Sequence, residues 1–306
     1  MNTTTSKVGI VGLGNVGATA AYALLLTGLV DELVLYARTK EKAVGEKLDL
    51  EHGLAFLDKA TITATDDFAD LAGCDIVLFT AGAAQAPGET RLDLLNKNSA
   101  IVEEVVPKIV AAAPNAILVM ITNPVDILTY KASLISALPK GRVFGSGTML
   151  DTARFRYHLG EMLNINPRSI HAYILGEHGD SSFPVLSSAS VGGQPLSDFP
   201  AYSKEQALEA FELAKQAAYN IIQAKGATYY AIGVVITKLV RTILRNNHSV
   251  LPVSIPVENY YGQYNVSLSV PCIVGRDGVE QVLKAQLSPE EQILFAHSAD
   301  TLKKLL

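Results

Sequence analysis

Apolar residues follow two rhythms along the first half of the chain. Short runs at residues 7–11, 32–36, 61–64, 76–80, 116–122 and 142–144 are rich in β-branched residues and carry few charges. Such runs suit strands covered on both faces. Between them lie longer stretches with helical spacing, at residues 15–29, 40–56 and 90–113. Strand and helix in alternation predict right-handed β-α-β crossovers and a parallel sheet. Pro107 falls inside the third helical stretch, where a missing backbone donor predicts a kink or a break.

The rhythm changes after Gly145. Residues 151–163, 205–224 and 229–246 read as helices, the last with a long apolar face. Residues 250–287 hold strand-like runs with turn signals at Tyr261-Gly262 and Arg276-Asp277-Gly278, which predicts antiparallel pairing. A final helix follows from Pro289. The change of pattern divides the chain into residues 1–145 and 146–306. No flexible linker separates them, so a close junction is expected.

Composition narrows the partners. With 306 residues, 49% of them hydrophobic, the chain can bury a large core. Lys plus Arg is 25 against 30 for Asp plus Glu, a net charge of −5. That balance argues against nucleic acid, which needs a basic face; only the short cluster from Arg38 to Lys42 points the other way. Cys74 and Cys272 are the only cysteines, too few for a disulfide framework or a cysteine-built zinc site. The opening MNTTTSKVGIVG lacks the charged-then-apolar form of a signal peptide. No apolar run reaches the ~20 residues of a membrane span. A cytoplasmic protein with no membrane partner is expected.

Gly12-Leu13-Gly14-Asn15-Val16-Gly17 fits G-x-G-x-x-G. It follows the first strand and opens the first helix, the context that makes this spacing specific for a dinucleotide. Gly12 permits the tight turn, Gly14 lets the backbone approach a pyrophosphate, and Gly17 lets helix and strand close up. The expected fold is therefore α/β: a Rossmann-type doubly wound parallel sheet followed by a mixed α+β catalytic domain. An acidic residue is expected at the end of the second strand to hold the adenosine ribose. That position is Ala37, followed by Arg38 and Thr39, with Lys40 and Lys42 nearby. Loss of the carboxylate beside a guanidinium favours a 2′-phosphate and NADP(H). The alternative is that Arg38 is a solvated charge and NAD(H) still binds, less tightly.

Four further segments carry chemistry: AGAAQAPGETRLDL (81–94), TNPVDILT (122–129), GSGTMLDTARFR (145–156) and LGEHGDSSFP (175–184). With the glycine loop and KGATYY (225–230), in this order and spacing, the chain closely resembles the lactate/malate dehydrogenase family, on its L-lactate branch. The resemblance spans nearly the whole chain. It implies reversible hydride transfer between a nicotinamide cofactor, NAD(H) or NADP(H), and pyruvate or L-lactate. Such a reaction needs a grip on the substrate carboxylate, a proton donor at the carbonyl oxygen, and positive charge to stabilise the developing alkoxide.

His178 lies in GEHGD, which matches the family's catalytic histidine segment, and imidazole can donate during reduction and accept during oxidation. The resemblance makes Asp151 its partner; by itself, Asp151 also suits a helix N-terminus. Arg154 is one helical turn from Asp151 and could simply pair with it, but the family pattern has it grip the substrate carboxylate, for which a planar guanidinium is suited. Arg91 follows a stretch that resembles the family's mobile lid, and its expected place is at the substrate carbonyl. The resemblance also puts Asn123 near that carbonyl, Ser146 near the nicotinamide carboxamide, and Thr228 and Ile232 in the substrate pocket. It assigns cofactor contacts to Val16, Gly82, Ala83 and Asn123.

Gln85 separates close relatives. Malate dehydrogenases of the family carry an arginine at the matching lid position; an uncharged glutamine would leave a second substrate carboxylate without a counter-charge. Pyruvate is therefore expected over oxaloacetate. A dehydrogenase for malate or another 2-hydroxy acid remains the nearest alternative, and a catalytically silent dinucleotide-binding protein a more distant one. Arg156 and His171 match positions that bind fructose 1,6-bisphosphate in allosteric bacterial members. The resemblance implies a homotetramer, in which such a site would span a two-fold axis.

Overall fold

The computed structural model describes residues 5–83 and 90–306, without the side chain of Arg91. Six parallel strands form its centre: β1 (Lys7–Val11), β2 (Glu32–Tyr36), β3 (Thr61–Thr65), β4 (Ile76–Phe79), β5 (Ile117–Met120) and β6 (Val143–Gly145). They lie in the order β3-β2-β1-β4-β5-β6, so the chain reverses its direction of travel across the sheet between β1 and β4. β4 and β5 are buried at every position, as their continuous apolar runs require. The crossovers are α1 (Asn15–Leu26), α2 (Lys40–Gly53), α3 (Arg91–Ala112) and α4 (Val125–Ser136). This is a Rossmann-like arrangement, in which ligands bind outside the carboxyl ends of the strands at the reversal.

Pro107 lies within α3, which continues past it without a break. Pro107 and Glu103, whose carbonyl loses its donor, are both on the exposed side, where water can replace the missing bond. α1 stops three residues short of the expected Leu29. Gly28, at φ +58°, turns the chain there, and a Cβ on it would lie 2.1 Å from Asp58 Oδ2. Similarly, β5 is shorter than its apolar run, because residues 121–123 leave the sheet at its carboxyl edge. Thr122 Oγ1 donates to the Ala81 carbonyl at 2.8 Å and holds that exit.

The second half contributes α5 (Met149–Leu163), β7 (Ile170–Leu175), β8 (Phe183–Val191), β9 (Gln194–Pro195), α6 (Lys204–Lys225), α7 (Tyr230–Leu244), β10 (Ser249–Tyr260), β11 (Gln263–Gly275), β12 (Gly278–Val282) and α8 (Pro289–Lys303). The expected antiparallel pairing joins β10 to β11 and β11 to β12. Beyond that expectation, this meander also extends the parallel sheet, since Ser254 of β10 pairs with Gly145 of β6. β7, β8 and β9 form a separate antiparallel sheet. It packs with α5 and α6 around Phe155, Leu159, Ile170, Ile174 and Phe211. Neither this sheet nor α4 is announced by the apolar pattern alone. Among the described residues, no helix is long and apolar enough to cross a membrane.

Candidate active site

Backbone geometry dominates the cofactor side. Gly12, at φ +104°, would place a Cβ 2.4 Å from the Ala81 nitrogen, and a Cβ on Gly17 would lie 2.0 Å from the Gly12 oxygen. Only glycine allows β1 to turn into α1 this tightly. Gly14 differs: a Cβ there meets nothing within 4 Å. Its openness belongs to whatever approaches the loop from outside. Gly14 caps α1 with no side-chain hydrogen bond, and the first turn holds no acidic residue. Free N–H groups and the positive end of the helix dipole therefore face an incoming anion. These features fit a dinucleotide pyrophosphate.

Ala37 is buried just past β2, and its N–H donates to the Thr65 carbonyl at 3.1 Å. Arg38 beside it is exposed, and its charge, after that of Lys108, helps to lower the Glu104 carboxyl. Gly82 and Ala83 follow β4. A Cβ on Gly82 would lie 2.4 Å from Thr122 Cγ2. Asn98, absent from the sequence-based site, clamps this corner: its Oδ1 accepts the Ala83 N–H at 2.8 Å and its Nδ2 donates to the Asn123 carbonyl at 2.7 Å.

A cavity of about 660 Å³ opens beside this loop. Val16, Asn123, Ser146, Asp151, Arg154, His178, Thr228 and Ile232 all line it, brought together from five separate stretches of sequence. Gln85 lies outside the described residues, and so does the Arg91 side chain; the backbone of Arg91 opens α3 behind a Thr90–Asp93 capping box.

Asp151 occupies the first turn of α5, and Arg154 follows one turn on. His178 Nδ1 lies 2.5 Å from Asp151 Oδ2. The carboxylate accepts, so Nδ1 carries the proton and Nε2 remains for a substrate. Burial disfavours charge on His178, but the Asp151 carboxylate overrides it and raises the imidazole to about 9. Burial pushes Asp151 upward in turn, yet His178 and Arg154 hold it below its ordinary value. The imidazole is thus kept protonated over the neutral range.

Arg154 Nη1 lies 3.6 Å from Asp151 Oδ1, while Nη2 is buried without a hydrogen-bond partner among the described residues. A guanidinium nitrogen left unpaired in a largely buried side chain is costly unless an acceptor arrives from outside. One nitrogen thus leans on Asp151, and the other has no hydrogen-bond partner among the described residues.

The His178 loop is fixed from behind. Gly176 exchanges backbone hydrogen bonds with Ser269, and the Glu177 N–H donates to Ser298 Oγ at 2.6 Å. The His178 N–H donates to Asp126 Oδ2 at 2.7 Å, and Ser254 Oγ donates to Asp126 Oδ1 at 2.5 Å. Asp126 carries no sequence signal beyond its place in TNPVD, because both its partners are remote in the chain.

Arg156 and His171 lie away from the cavity lining. Arg156 Nε donates to the Ala172 carbonyl at 2.8 Å, and its guanidinium lies 5.1 Å from the Tyr173 ring centre. This sets Arg156 against the strand that carries the exposed His171.

Comparison with known proteins agrees with this geometry. Residues 6–145 match the model for the lactate/malate dehydrogenase NAD-binding domain, and residues 148–306 that for the lactate/malate dehydrogenase α/β C-terminal domain. The chain is 45% identical over 306 residues to an L-lactate dehydrogenase of Thermoanaerobacter sp. (strain X514), covering 98% of each. It is 46% identical over 300 residues to one of Halalkalibacterium halodurans, covering 98% of this chain and 96% of the relative. Among solved structures, a minor L-lactate dehydrogenase from Enterococcus mundtii in ligand-bound form superposes with a TM-score of 0.95 at 40% identity, covering 98% of this chain and 97% of that one. A lactate dehydrogenase from a Medee basin deep-sea metagenome library gives 0.95 at 41% identity, covering 99% and 98%.

Proposed function

This chain belongs to the lactate/malate dehydrogenase family, with the activity of an L-lactate dehydrogenase on a nicotinamide dinucleotide, and from that footing we propose how its residues divide the work and which cofactor it prefers. The nicotinamide supplies the hydride during pyruvate reduction and takes it back during lactate oxidation. Gly12, Gly14, Val16, Gly17, Gly82 and Ala83 hold the dinucleotide, with Asn123 and Ser146 at its nicotinamide end.

Arg154 grips the substrate carboxylate. The observation that carries this reading is its buried Nη2, unpartnered among the described residues, in the same cavity as the His178–Asp151 pair. His178 Nε2 gives its proton to the carbonyl oxygen as the carbon accepts hydride, which leaves neutral imidazole and a hydroxyl. Asp151 holds the ring and stabilises imidazolium before transfer. Asn123 and Arg91 steady the developing oxyanion, while Thr228 and Ile232 shape the wall around the methyl group. Gln85 supplies no positive charge for a second carboxylate, which supports pyruvate over oxaloacetate.

Ala37 and the exposed Arg38 support use of NADP(H) alongside or above NAD(H). Pyruvate reduction assayed in parallel with NADH and NADPH tests both the activity and this preference. Turnover at comparable or higher kcat/KM with NADPH is expected. A strong NADH preference would return Arg38 to the role of a surface charge, and faster oxaloacetate reduction would overturn the use made of Gln85.

Subunit association has its own support. α2 buries only Ala43, while Leu48 is 49% exposed and Phe56 just beyond it is 89% exposed. Large apolar side chains left outside suit a surface covered by other copies, here a homotetramer. Arg156 and His171 would meet across its two-fold axis and take fructose 1,6-bisphosphate. A lower half-saturation for pyruvate when the bisphosphate is added is the expected result. A cytoplasmic location completes the reading.

A further inference from the structure

A helix interior is a poor place for glycine, which loses more backbone freedom there than any other residue. Yet Gly233 stands near the start of α7, buried and in ordinary helical surroundings. Its N–H donates to the Tyr229 carbonyl at 3.1 Å, and its carbonyl accepts the Thr237 hydroxyl at 2.9 Å. Its φ lies outside the left-handed region, so the backbone would accept alanine. Space forbids it instead. A Cβ on Gly233 would lie 2.8 Å from Thr19 Cγ2 of α1, and the next atoms, also of Thr19, are 3.5 and 3.6 Å away. Among the described residues one methyl group is therefore the whole obstacle, and the missing side chain lets α7 settle against α1.

These two helices carry opposite walls of the site. Val16, one turn before Thr19 on the same face of α1, lines the cavity, and so does Ile232, next to Gly233. On roughly its opposite face α1 is pinned by Gly17, where a Cβ would lie 2.0 Å from the Gly12 oxygen. α1 thus rests between the turn after β1 and α7, with a glycine at each contact. The pyrophosphate end depends on Gly12, Gly14 and Gly17. The span from Val16 to Ile232 depends on how closely α7 approaches.

We propose that Gly233 is a positioning residue for the nicotinamide: by admitting the Thr19 methyl it sets the separation of α1 and α7, and with it the width of the slot between Val16 and Ile232. The inference rests on the reading that the nicotinamide end of the cofactor enters this cavity. A methyl group on Gly233 drives the two helices apart at this point. The slot widens and the ring is held less firmly, while the glycine turn is left alone.

ADP-ribose, which has the adenosine and pyrophosphate but no nicotinamide, separates the two ends. Calorimetric titration with each ligand gives a preference for NADH over ADP-ribose. Gly233→Ala lowers that preference by about tenfold through weaker NADH binding, with ADP-ribose affinity kept within about twofold. Thr19→Ala cannot clash; it leaves a gap at the same contact and lowers the preference by about threefold. Combining the two moves the methyl group from one helix to the other and returns the preference to the wild-type value, a non-additivity expected of residues in contact. An unmoved preference in Gly233→Ala, or a double variant that is not restored, overturns the proposal. So does an equal loss of both ligands, which would mean that α1 as a whole had shifted. If Gly233→Ala fails to fold, Thr19→Ala and the double variant decide: a double variant no better than Thr19→Ala overturns the proposal. A wild type that binds ADP-ribose as tightly as NADH undoes the reading of the cavity as the nicotinamide site. A wild-type preference for NADH that Gly233→Ala leaves untouched undoes only the inference about Gly233.

Discussion

The two sides of the cavity are built from different materials. On the dinucleotide side the backbone does the work, and side chains matter mostly by being absent: Gly12 and Gly17 leave room for the chain itself, and Gly14 leaves room for a visitor. On the catalytic side charged groups are buried and paired, Asp151 with His178 and Asp126 with a peptide N–H, while one Arg154 nitrogen has no hydrogen-bond partner among the described residues. The first design binds an anion with little desolvation, using N–H groups that a helix start leaves over anyway. The second carries the cost of buried charge, because a proton must be held ready where water is scarce. Binding and chemistry are therefore separable by substitution.

The largest break comes from His178→Asn. Asparagine keeps a donor near Asp151 but cannot deliver a proton at neutral pH, so kcat for pyruvate reduction falls by about 10³-fold or more. NADH binding, followed by fluorescence titration, stays within about twofold, because the dinucleotide side is untouched. Coupled losses in both readouts would mean that the two sides are not independent. Arg154→Lys should be next in size. A lysine cannot offer two parallel donors, so kcat/KM for pyruvate drops by about 10²-fold with little change in NADH affinity.

The same division explains what the sequence makes legible. Strand–helix alternation and the glycine spacing are local, and the sheet order and Gly12–Gly17 turn follow from residues within one crossover. Asp151 and Arg154 are legible as a pair because one helical turn joins them. Asp126 and Asn98 are not, since their partners are distant or are backbone groups that any residue could supply. Similarly, β7–β9 hide because β8 has exposed and polar positions in its middle and β9 is two residues long. Their pairing is decided by packing on α5 and α6, a long-range contact without periodic trace. The cavity roles of His178, Thr228 and Ile232 came from likeness to a family, not from spacing.

A smaller effect sharpens the comparison within the loop itself. Gly14→Ala adds a methyl group where the protein has nothing within 4 Å, at φ −80°, which alanine accepts. Thermal stability should be unchanged or slightly raised, while NADH affinity weakens by about tenfold, or 1.4 kcal/mol. Gly17→Ala should do the opposite and destabilise the apo protein, because its methyl would overlap the Gly12 carbonyl. Equal losses of Tm in the two variants would show that Gly14 is needed by the fold, not by the ligand.

The smallest effect is a dependence of stability on pH that belongs to the catalytic side alone. His178 is raised to about 9 in the folded chain, from an ordinary value of 6.5. A group raised on folding contributes stability that is complete below its unfolded value and is lost as pH climbs through its folded one. For His178 that window runs from about pH 6.5 to about pH 9. Asp151 is lowered instead, so its contribution is present above its unfolded value of 3.8 and disappears only on acidification. Neutral-to-alkaline scans therefore isolate the imidazole. Asp151→Asn removes the carboxylate that raises it and flattens this part of the curve. The wild type should have its Tm advantage over Asp151→Asn at pH 6.5 and lose a few degrees of it by pH 9, consistent with about 1–2 kcal/mol in a chain of this size. The same scan on Gly14→Ala should run parallel to the wild type, since no titrating group changes. Parallel curves for Asp151→Asn would mean that Asp151 orients the imidazole without holding its proton.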